Sequence, residues 1–494
     1  MTNPNCHYSV QLSQSEPAAE WGCTILKRLR MRQTFLILPL LLLALTLSAA
    51  AQAGNSTSAA VCASCIRGNL EYLAGPALHG RGSGTIDEYH AAQYIAGKLK
   101  AYGLAPAAEN GGFIQTGTIK TRTVTSAPVL TFDAGKPVSW KHGNEFAAFQ
   151  FSQPDVAAPL QKLDLNDAQI SPQSVKEGAA VLLKLKPGAT VQDMQSVTSP
   201  YLESKAAVII VPEPVDPEAT FQRLAGRMPR TDKKIDDAPS GPDGIILKAD
   251  QAQQLWGVAD GTLIKLHAEV TPWQVSHTWN VLGKISGKKA DQTILLSAHL
   301  DHLGVKNGKT YPGADDDASG TVAVMELARA LGKQPRPQRT IVFALWGSEE
   351  AGLVGARYFL KHPTFDLNSL LANLEFEMIA RPDPKVQPNQ LWLTGWERTD
   401  LGPALAAHGA QLVGDPHPDQ SFFMRSDNYA LAKTGIIAQT VSSYGLHKDY
   451  HQPTDTLDKV DWQHLDSAVG SMIAPVSWLA NSDFTPKWNA DGKP

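Results

Sequence analysis

Four short polar segments follow apolar runs in the second half of this 494-residue chain. In an open α/β sheet, ligands bind beyond the carboxyl ends of the strands, so side chains that follow buried strands are expected to meet at one edge. Each segment alone has an ordinary structural explanation, such as a helix cap or a solvated turn. Together they would gather carboxylates that repel one another unless a cation neutralises them. The sequence therefore predicts a metal site that draws on His299 and Asp301, on Asp315, Asp316 and Asp317, on Glu349 and Glu350, and on Glu375 and Glu377.

The types of donor indicate which metal would bind. Carboxylate and imidazole ligands without thiolate suit zinc, with cobalt or manganese as substitutes, and a carboxylate shared by two ions is typical of a two-metal hydrolytic site. One more histidine is needed to complete such a site. Residues 446–456 offer two candidates, His447 and His451.

Strands that alternate with helices must position these side chains. Residues 293–298, 341–345 and 372–378 are predicted to be buried strands, and residues 320–331 the helix between the first two. This order predicts an α/β fold, with a mostly parallel mixed sheet flanked by helices.

The first half of the chain has a different pattern. Residues 66–104 have helical spacing, broken by a glycine-rich loop at 80–84. Residues 138–270 contain short apolar runs separated by proline- and aspartate-rich stretches. We interpret this second stretch as a small β-rich domain inserted in the chain.

The motifs, in this order, resemble those of the M28 family of zinc metallopeptidases. They are His299-Leu300-Asp301, GADDDASG at 313–320, Glu349-Glu350-Ala351-Gly352, Glu377-Met378 and YHQPTDT at 450–456. The resemblance covers about 280–460, and GRGSGT at 80–85 is similar to a glycine–arginine loop that precedes this domain in many members. It implies a zinc exopeptidase-like fold with the N-terminal part of the peptidase domain at 54–137, an inserted protease-associated-like domain at 138–270 and the metallopeptidase domain at 271–494.

The resemblance also implies the metal ligands. One zinc would be bound by His299, Asp315 and Glu377. The second zinc would be bound by Asp315, Glu350 and His451, so that Asp315 would bridge two ions in each chain.

Other residues receive supporting roles from the same resemblance. Glu349 would be the general base that takes a proton from a metal-activated water. Asp301 would accept the second ring N–H of His299 and fix its tautomer. Asp316 and Asp317 would order the loop and the helix start rather than bind metal, and His447 is the alternative to His451.

The chain departs from the common family pattern at three positions. Glu377 stands where many members have aspartate, which keeps the type of ligand but adds one methylene. Ala380 stands where glycine is frequent. Asn428 follows Ser426-Asp427 where histidine is frequent, so a substrate contact by this residue is in doubt.

A secreted zinc aminopeptidase acting on peptides is the favoured function. The alternatives are a carboxypeptidase or other amidohydrolase on the same two-metal site, a one-zinc acyltransferase of the glutaminyl-cyclase type, and a non-catalytic binding protein that has lost its metals. A carboxypeptidase would need a cation aimed at the terminal carboxylate, for which Arg381 and Arg425 are candidates. Surplus acids at Asp316, Asp317, Glu375 and Asp427 could instead hold an α-ammonium group or pair with those arginines.

Composition and the N-terminal segment set the context. The formal net charge of −4 gives no reason to expect a nucleic-acid partner. The apolar run at 35–50 follows basic residues and precedes Ala51-Gln52-Ala53, which predicts a signal peptide that starts at Met31, is cleaved near Ala53 and directs the protein outside the cytoplasm. No stable membrane partner is then expected. Cys62 and Cys65 are predicted to form a local disulfide or to be two free thiols.

Overall fold

The computed structural model describes residues 60–215, 220–228, 230–231, 233–235 and 241–494. The predicted signal peptide and the predicted start at Met31 lie outside these residues. Within the described part of the chain, no helix is both long enough and apolar enough to cross a membrane. Cys62 and Cys65 form a disulfide.

The secondary structure alternates between strands and helices along most of the described chain. The strands are β1 (Ala105–Pro106), β2 (Ile114–Thr121), β3 (Val129–Asp133), β4 (Pro137–Lys141), β5 (Phe146–Phe151), β6 (Asp155–Asp164), β7 (Ala180–Lys184), β8 (Val208–Pro212), β9 (Arg230–Thr231), β10 (Lys233–Ile235), β11 (Asp243–Leu247), β12 (Leu263–His267), β13 (Gln274–Ile285), β14 (Lys289–His299), β15 (Gly304–Lys306), β16 (Lys309–Tyr311), β17 (Arg339–Trp346), β18 (Leu370–Phe376), β19 (Leu391–Leu393), β20 (Leu412–Gly414) and β21 (Ala438–Ser442). The α-helices are α1 (Ala63–Leu73), α2 (Ile86–Ala101), α3 (Val191–Leu202), α4 (Thr220–Ala225), α5 (Ala249–Trp256), α6 (Ala318–Gly332), α7 (Val354–Lys361), α8 (Leu401–Ala407), α9 (Asp427–Ala432) and α10 (Trp462–Asn481).

A ten-stranded mixed sheet carries the candidate site. Its order is β10-β2-β13-β17-β14-β18-β21-β19-β20, and β1 pairs with β13. The central strands β17, β14, β18 and β21 run parallel, whereas β13 is antiparallel to β17. This is the predicted α/β architecture with a mostly parallel centre.

The helix α6 lies at the core of this unit. It packs against β14, α1 and α10, and residues 318–331 are all buried. Apolar residues therefore occur all round the helix rather than on one stripe, which is typical of a fully covered helix. The carboxylate of Asp317 accepts a hydrogen bond from the backbone N–H of Gly320 (2.9 Å) and caps its first turn. The start of α6 is thereby anchored beside the carboxyl ends of the central strands.

The predicted elements of this sheet are confirmed, with shifted ends. Residues 293–298 lie in β14, residues 341–345 in β17 and residues 320–331 in α6. The third predicted strand, 372–378, ends earlier, because β18 stops at Phe376. Glu377 therefore follows the strand rather than lying inside it.

A second sheet is built from the intervening stretch. Its nine strands follow the order β4-β3-β12-β6-β7-β8-β11-β5-β9, and its two faces bury separate apolar clusters. The sheet begins at Val129, before the predicted boundary at 138. The strand β10 comes from the same stretch but pairs with β2 of the first sheet. The assignment of this stretch to a protease-associated type stays a prediction.

Candidate metal centre

Three parallel strands bring the predicted site residues to one edge. His299 is the last residue of β14 and lies opposite Trp346, the last residue of β17. Glu349 and Glu350 follow β17, and Glu377 follows β18 directly. Polar side chains from these strand ends converge because the strands are parallel and in register.

The residues meet in two groups of three that share one carboxylate. The groups are His299, Asp316 and Glu377, and His302, Asp316 and Glu350; the donor atoms within each group lie within 4.8 Å of one another. His299 Nε2 lies 3.3 Å from Asp316 Oδ1 and 4.0 Å from Glu377 Oε1. His302 Nδ1 lies 2.9 Å from Glu350 Oε1.

The donor atoms fit metal ions better than they fit one another. His299 Nε2, both ring nitrogens of His302, Asp316 Oδ2 and Glu350 Oε1 are buried and make no hydrogen bond. Buried polar atoms are almost always hydrogen-bonded, so donors that lie in ion-pair contact with one another without a hydrogen bond need an explanation. A cation at each group would satisfy them, and the nitrogen and oxygen donors suit zinc.

The structure corrects the predicted bridging residue. The prediction placed Asp315 at the centre of the cluster, but the shared carboxylate belongs to Asp316. Asp315 Oδ1 accepts a hydrogen bond from the backbone N–H of Ala380 (2.8 Å), and its Oδ2 lies 2.9 Å from His447 Nε2. Of the three consecutive aspartates, Asp315 and Asp317 hold backbone groups, and only Asp316 presents its carboxylate to both groups of donors.

Of the two predicted histidines, His451 lies at the cluster. Its Nε2 is 3.1 Å from Asp316 Oδ2 and 3.1 Å from Glu350 Oε1. His447 instead contacts Asp315 and takes no part in either group. His451 and His302 thus both stand beside Glu350, and either could complete the second group.

Sequence reasoning missed His302, although a signal was present. It is the fourth residue of His-Leu-Asp-His, directly beyond β14, and it is fully buried. A polar residue directly after Asp301 lies at the same sheet edge and could have been included.

Asp301 faces the second ring nitrogen of His299, as predicted, but with its backbone carbonyl rather than its carboxylate. His299 Nδ1 lies 3.2 Å from the backbone carbonyl of Asp301, whereas its carboxylate Oδ1 is 3.8 Å away. That carboxylate accepts hydrogen bonds from the backbone N–H of Glu349 (2.8 Å) and from the hydroxyl of Ser83 (2.6 Å). Asp301 therefore orients the segment that carries the predicted base.

Burial and neighbouring acids favour the protonated form of several carboxyls here. Burial, together with Asp427, Glu350 and Glu377, raises the pKa of Glu349 well above its usual value. Burial and the nearby Asp427 also raise the pKa of Glu375 well above its usual value. A carboxylate with a raised pKa is a stronger base, which suits proton transfer near neutral pH.

The two candidate arginines differ in their contacts. Arg381 forms ion pairs with Asp449 and Asp455, each at 2.8 Å. Arg425 stacks over the ring of Phe422, with 4.9 Å from its guanidinium carbon to the ring centroid. Arg381 thus pairs with acids, but with Asp449 and Asp455 rather than with the surplus acids that were predicted as its partners.

A cavity of about 380 Å³ opens beside Glu377. Aromatic rings dominate its wall, and the indole N–H of Trp392 donates to Asp383 Oδ2 at 3.0 Å, which fixes that ring. The residues that line it are Glu377, Met378, Trp392, Thr394, Phe422, Arg425, Thr440, Ser442, Tyr444 and Tyr450. Asn428 is absent from this wall: it is buried, and its side chain bonds to Phe423, Ala438 and Thr440.

Comparisons with known proteins agree with this arrangement. The model of peptidase family M28 matches residues 280–476. A probable lipoprotein aminopeptidase of Mycobacterium tuberculosis is 28% identical over 290 residues, covering 52% of this chain and 54% of that protein. Leucine aminopeptidase 2 of Arthroderma otae is 25% identical over 253 residues, which cover 46% of this chain and 49% of that protein. The chain therefore spans about half the length of these curated relatives.

A solved structure shares the fold. The aminopeptidase from Aneurinibacillus sp. strain AM-1 aligns with a TM-score of 0.50 at 18% identity, covering 86% of this chain and 95% of the other. The family match includes every strand end that contributes to the two groups of donors. Residues 280–476, which carry all the donor residues of both groups, match peptidase family M28.

Proposed function

We propose that the protein is a zinc-dependent exopeptidase that removes N-terminal residues from peptides and binds two zinc ions per chain. The observation that carries the proposal is the pair of donor groups that share Asp316. The family match and the names of the aminopeptidase relatives support it. His299 and Glu377 would hold one ion with Asp316, and Glu350 would hold the other with His302 or His451.

The chemistry divides between the metal and the chain. When bound, zinc supplies Lewis-acid activation of a water molecule and of the scissile carbonyl group. Glu349 would accept a proton on its carboxylate from the attacking water and then donate it to the departing amine nitrogen. Asp301 would keep Glu349 in place through the hydrogen bond to its backbone N–H.

Two features favour the amino end of the peptide. The carboxyl groups of Glu349, Glu375, Glu377 and Asp427 lie around the site, and their oxygens would accept hydrogen bonds from an α-ammonium group. The cavity beside Glu377, with aromatic rings in its wall, would take the first side chain of the peptide. We infer a preference for large apolar first residues.

One observation favours a carboxypeptidase as the second candidate. Arg425 lines the cavity and contacts aromatic rings, so its guanidinium group could meet a terminal carboxylate there. The same arginine could equally face a peptide carbonyl in an aminopeptidase. Only substrates with blocked ends separate these two roles.

A panel of peptides with free and blocked ends tests the proposal. Acetylation of the N-terminus should abolish turnover, amidation of the C-terminus should change it little, and chelation should remove activity that zinc restores. The opposite response to blocking would identify a carboxypeptidase. Loss of ammonia from a peptide that begins with glutamine, without hydrolysis, would identify a cyclase.

We also propose that the protein acts outside the cytoplasm, as a secreted or periplasmic enzyme. The basic segment, the apolar run at 35–50 and the Ala51-Gln52-Ala53 exit support this proposal. Sequencing the N-terminus of the exported protein should find Gly54. An exported protein that still begins at Met1 or Met31 would instead indicate a retained anchor.

A further inference from the structure

Glu88 is a fully buried carboxylate that the mechanism above does not use. It lies near the start of α2 and belongs to the segment 80–88, which is outside the family match at 280–476. The two oxygen atoms of its carboxylate bond to different parts of the chain.

The carboxylate of Glu88 accepts four hydrogen bonds. Oε1 accepts from the hydroxyl of Thr278 (2.7 Å) and from the backbone N–H of Trp279 (3.0 Å), both on β13. Oε2 accepts from the hydroxyl of Ser348 (2.9 Å) and from the backbone N–H of Gly84. Glu88 thus joins the end of the 80–88 segment and β13 to Ser348, the residue before the proposed base.

The turn that carries the base is built around this carboxylate. Ser348 has a left-handed backbone conformation, with φ of 51°. A Cβ atom at Gly347 would lie 2.3 Å from Glu88 Oε1, so only glycine allows the turn to approach so closely. A turn in this left-handed conformation is held in place by its hydrogen bonds rather than by its own backbone preference. Those hydrogen bonds therefore set the direction of the next side chain, that of Glu349.

A second anchor from the same segment holds the next residue. The hydroxyl of Ser83 donates to Asp301 Oδ2 (2.6 Å), and Asp301 Oδ1 accepts from the backbone N–H of Glu349 (2.8 Å). Ser348 and Glu349 are therefore held one after the other by groups that trace to the 80–88 segment.

We propose that Glu88 is a positioning residue for the reaction: through Ser348 it sets the orientation of Glu349 relative to the metal centre. The proposal rests on the proposed function, since it assumes that Glu349 is the base. Glu88 itself touches neither substrate nor metal ligand. Its effect should therefore appear in the catalytic rate and not in metal content or substrate binding.

The test replaces Glu88 with glutamine, which has the same shape. An amide has one acceptor oxygen, and its NH₂ group would face a donor, so the four hydrogen bonds cannot all form. We expect kcat to fall about 10–100-fold, as for other groups that support an active-site residue. KM and the zinc content per chain should stay within about two-fold.

Glu326→Gln is the matched control. Glu326 is also buried, and it accepts hydrogen bonds from Arg329 and from the backbone N–H of Cys62, away from the turn. This variant should lower Tm by a similar amount and leave kcat unchanged. If Glu88→Gln behaves like Glu326→Gln, with lower Tm and unchanged kcat, the proposal is wrong.

Ser348→Ala keeps the proposal testable if Glu88→Gln does not fold. It removes only the hydroxyl through which Glu88 acts, and it should lower kcat about 10-fold with zinc retained. The double variant Glu88→Gln/Ser348→Ala should be no slower than Glu88→Gln alone, because residues that act through one contact are not additive. A normal kcat for Ser348→Ala, or kcat losses that multiply, would overturn the proposal.

Failure of the proposed function gives a different result, since wild-type protein with zinc would then not hydrolyse any peptide in the panel.

Discussion

Glu349 and Glu350 are neighbours in the chain but have different surroundings. Glu350 lies 2.9 Å from His302 Nδ1 and 3.1 Å from His451 Nε2, as expected of a metal ligand. Glu349 has its backbone held by Asp301 and its pKa raised by burial, as expected of a base.

This difference predicts opposite effects of the same chemical change. Glu349→Gln should keep the zinc content and lower kcat by about 10²–10⁴-fold, the range for loss of a general base. Glu350→Gln should lower zinc content first, and activity with it. Metal analysis beside steady-state kinetics separates the two, and the reverse pattern would exchange their roles.

Asp315 and Asp316 allow a second comparison of neighbours. Asp316→Asn should reduce zinc from about two ions per chain to one or fewer, because the charge shared by both groups is weakened. Asp315→Asn should keep both ions and reduce the stability of the fold by roughly 1 kcal/mol, because the contacts of this carboxylate that change are those with Ala380, His447 and Ser319. Retention of both ions by Asp316→Asn would show that Asp316 does not bridge them.

At the scale of elements, Arg81 joins two loops that carry site residues. Its guanidinium group is fully buried and donates to four backbone carbonyls, those of Leu73 (2.6 Å), Leu300 (2.9 Å), Pro312 (2.7 Å) and Gly313 (3.0 Å). Leu300 follows His299, and Gly313 begins the aspartate loop. One side chain therefore sets the spacing between the end of β14 and the loop before α6.

Arg81→Lys should show this dependence. Lysine keeps the charge but cannot reach all four carbonyls, and each buried carbonyl left without a partner costs about 1–3 kcal/mol. We expect a loss of roughly 3 kcal/mol in the free energy of unfolding and weaker zinc binding. Arg336→Lys is the control, since Arg336 is exposed and donates to Ser286 and Gly287. A surface change of this kind should stay within about 0.5 kcal/mol, and equal effects of the two substitutions would argue against a special role for Arg81.

At the scale of the whole molecule, metal binding should be coupled to stability. The donors come from the ends of three strands and from residues far apart in the chain, so the unfolded chain has no preformed site. An ion that binds only the folded state adds about 2.7 kcal/mol to its stability when free zinc is 100 times Kd. Calorimetry should therefore find a lower Tm after chelation and recovery on addition of zinc. Asp316→Asn should show a much smaller shift, and an unchanged Tm in chelated wild-type protein would contradict a metal-linked fold.

Local patterns account for much that the sequence predicted correctly. A short apolar run such as 293–298 is typical of a strand that is buried on both faces of a parallel sheet. The polar residues that follow such a run then lie at the end of the strand. The motifs that resemble those of the M28 family assigned His299, Glu350, Glu377 and His451 to the cluster, and the structure places all four there. Each motif is a short run of neighbouring residues in the chain.

The tertiary structure decided the rest, because those choices depend on groups far away in sequence. Asp316 rather than Asp315 faces the cluster, because the carboxylate of Asp315 is hydrogen-bonded to Ala380 and His447, which come from later parts of the chain. His302 joins the site because Glu350 is brought to it from the end of β17. Glu88 acquires its contacts only when α2 packs against β13 and the turn after β17, which no spacing within α2 could indicate. The sequence alone thus determined the type of site and the elements that build it, whereas long-range packing determined which carboxylates face the cluster and which hold the backbone around it.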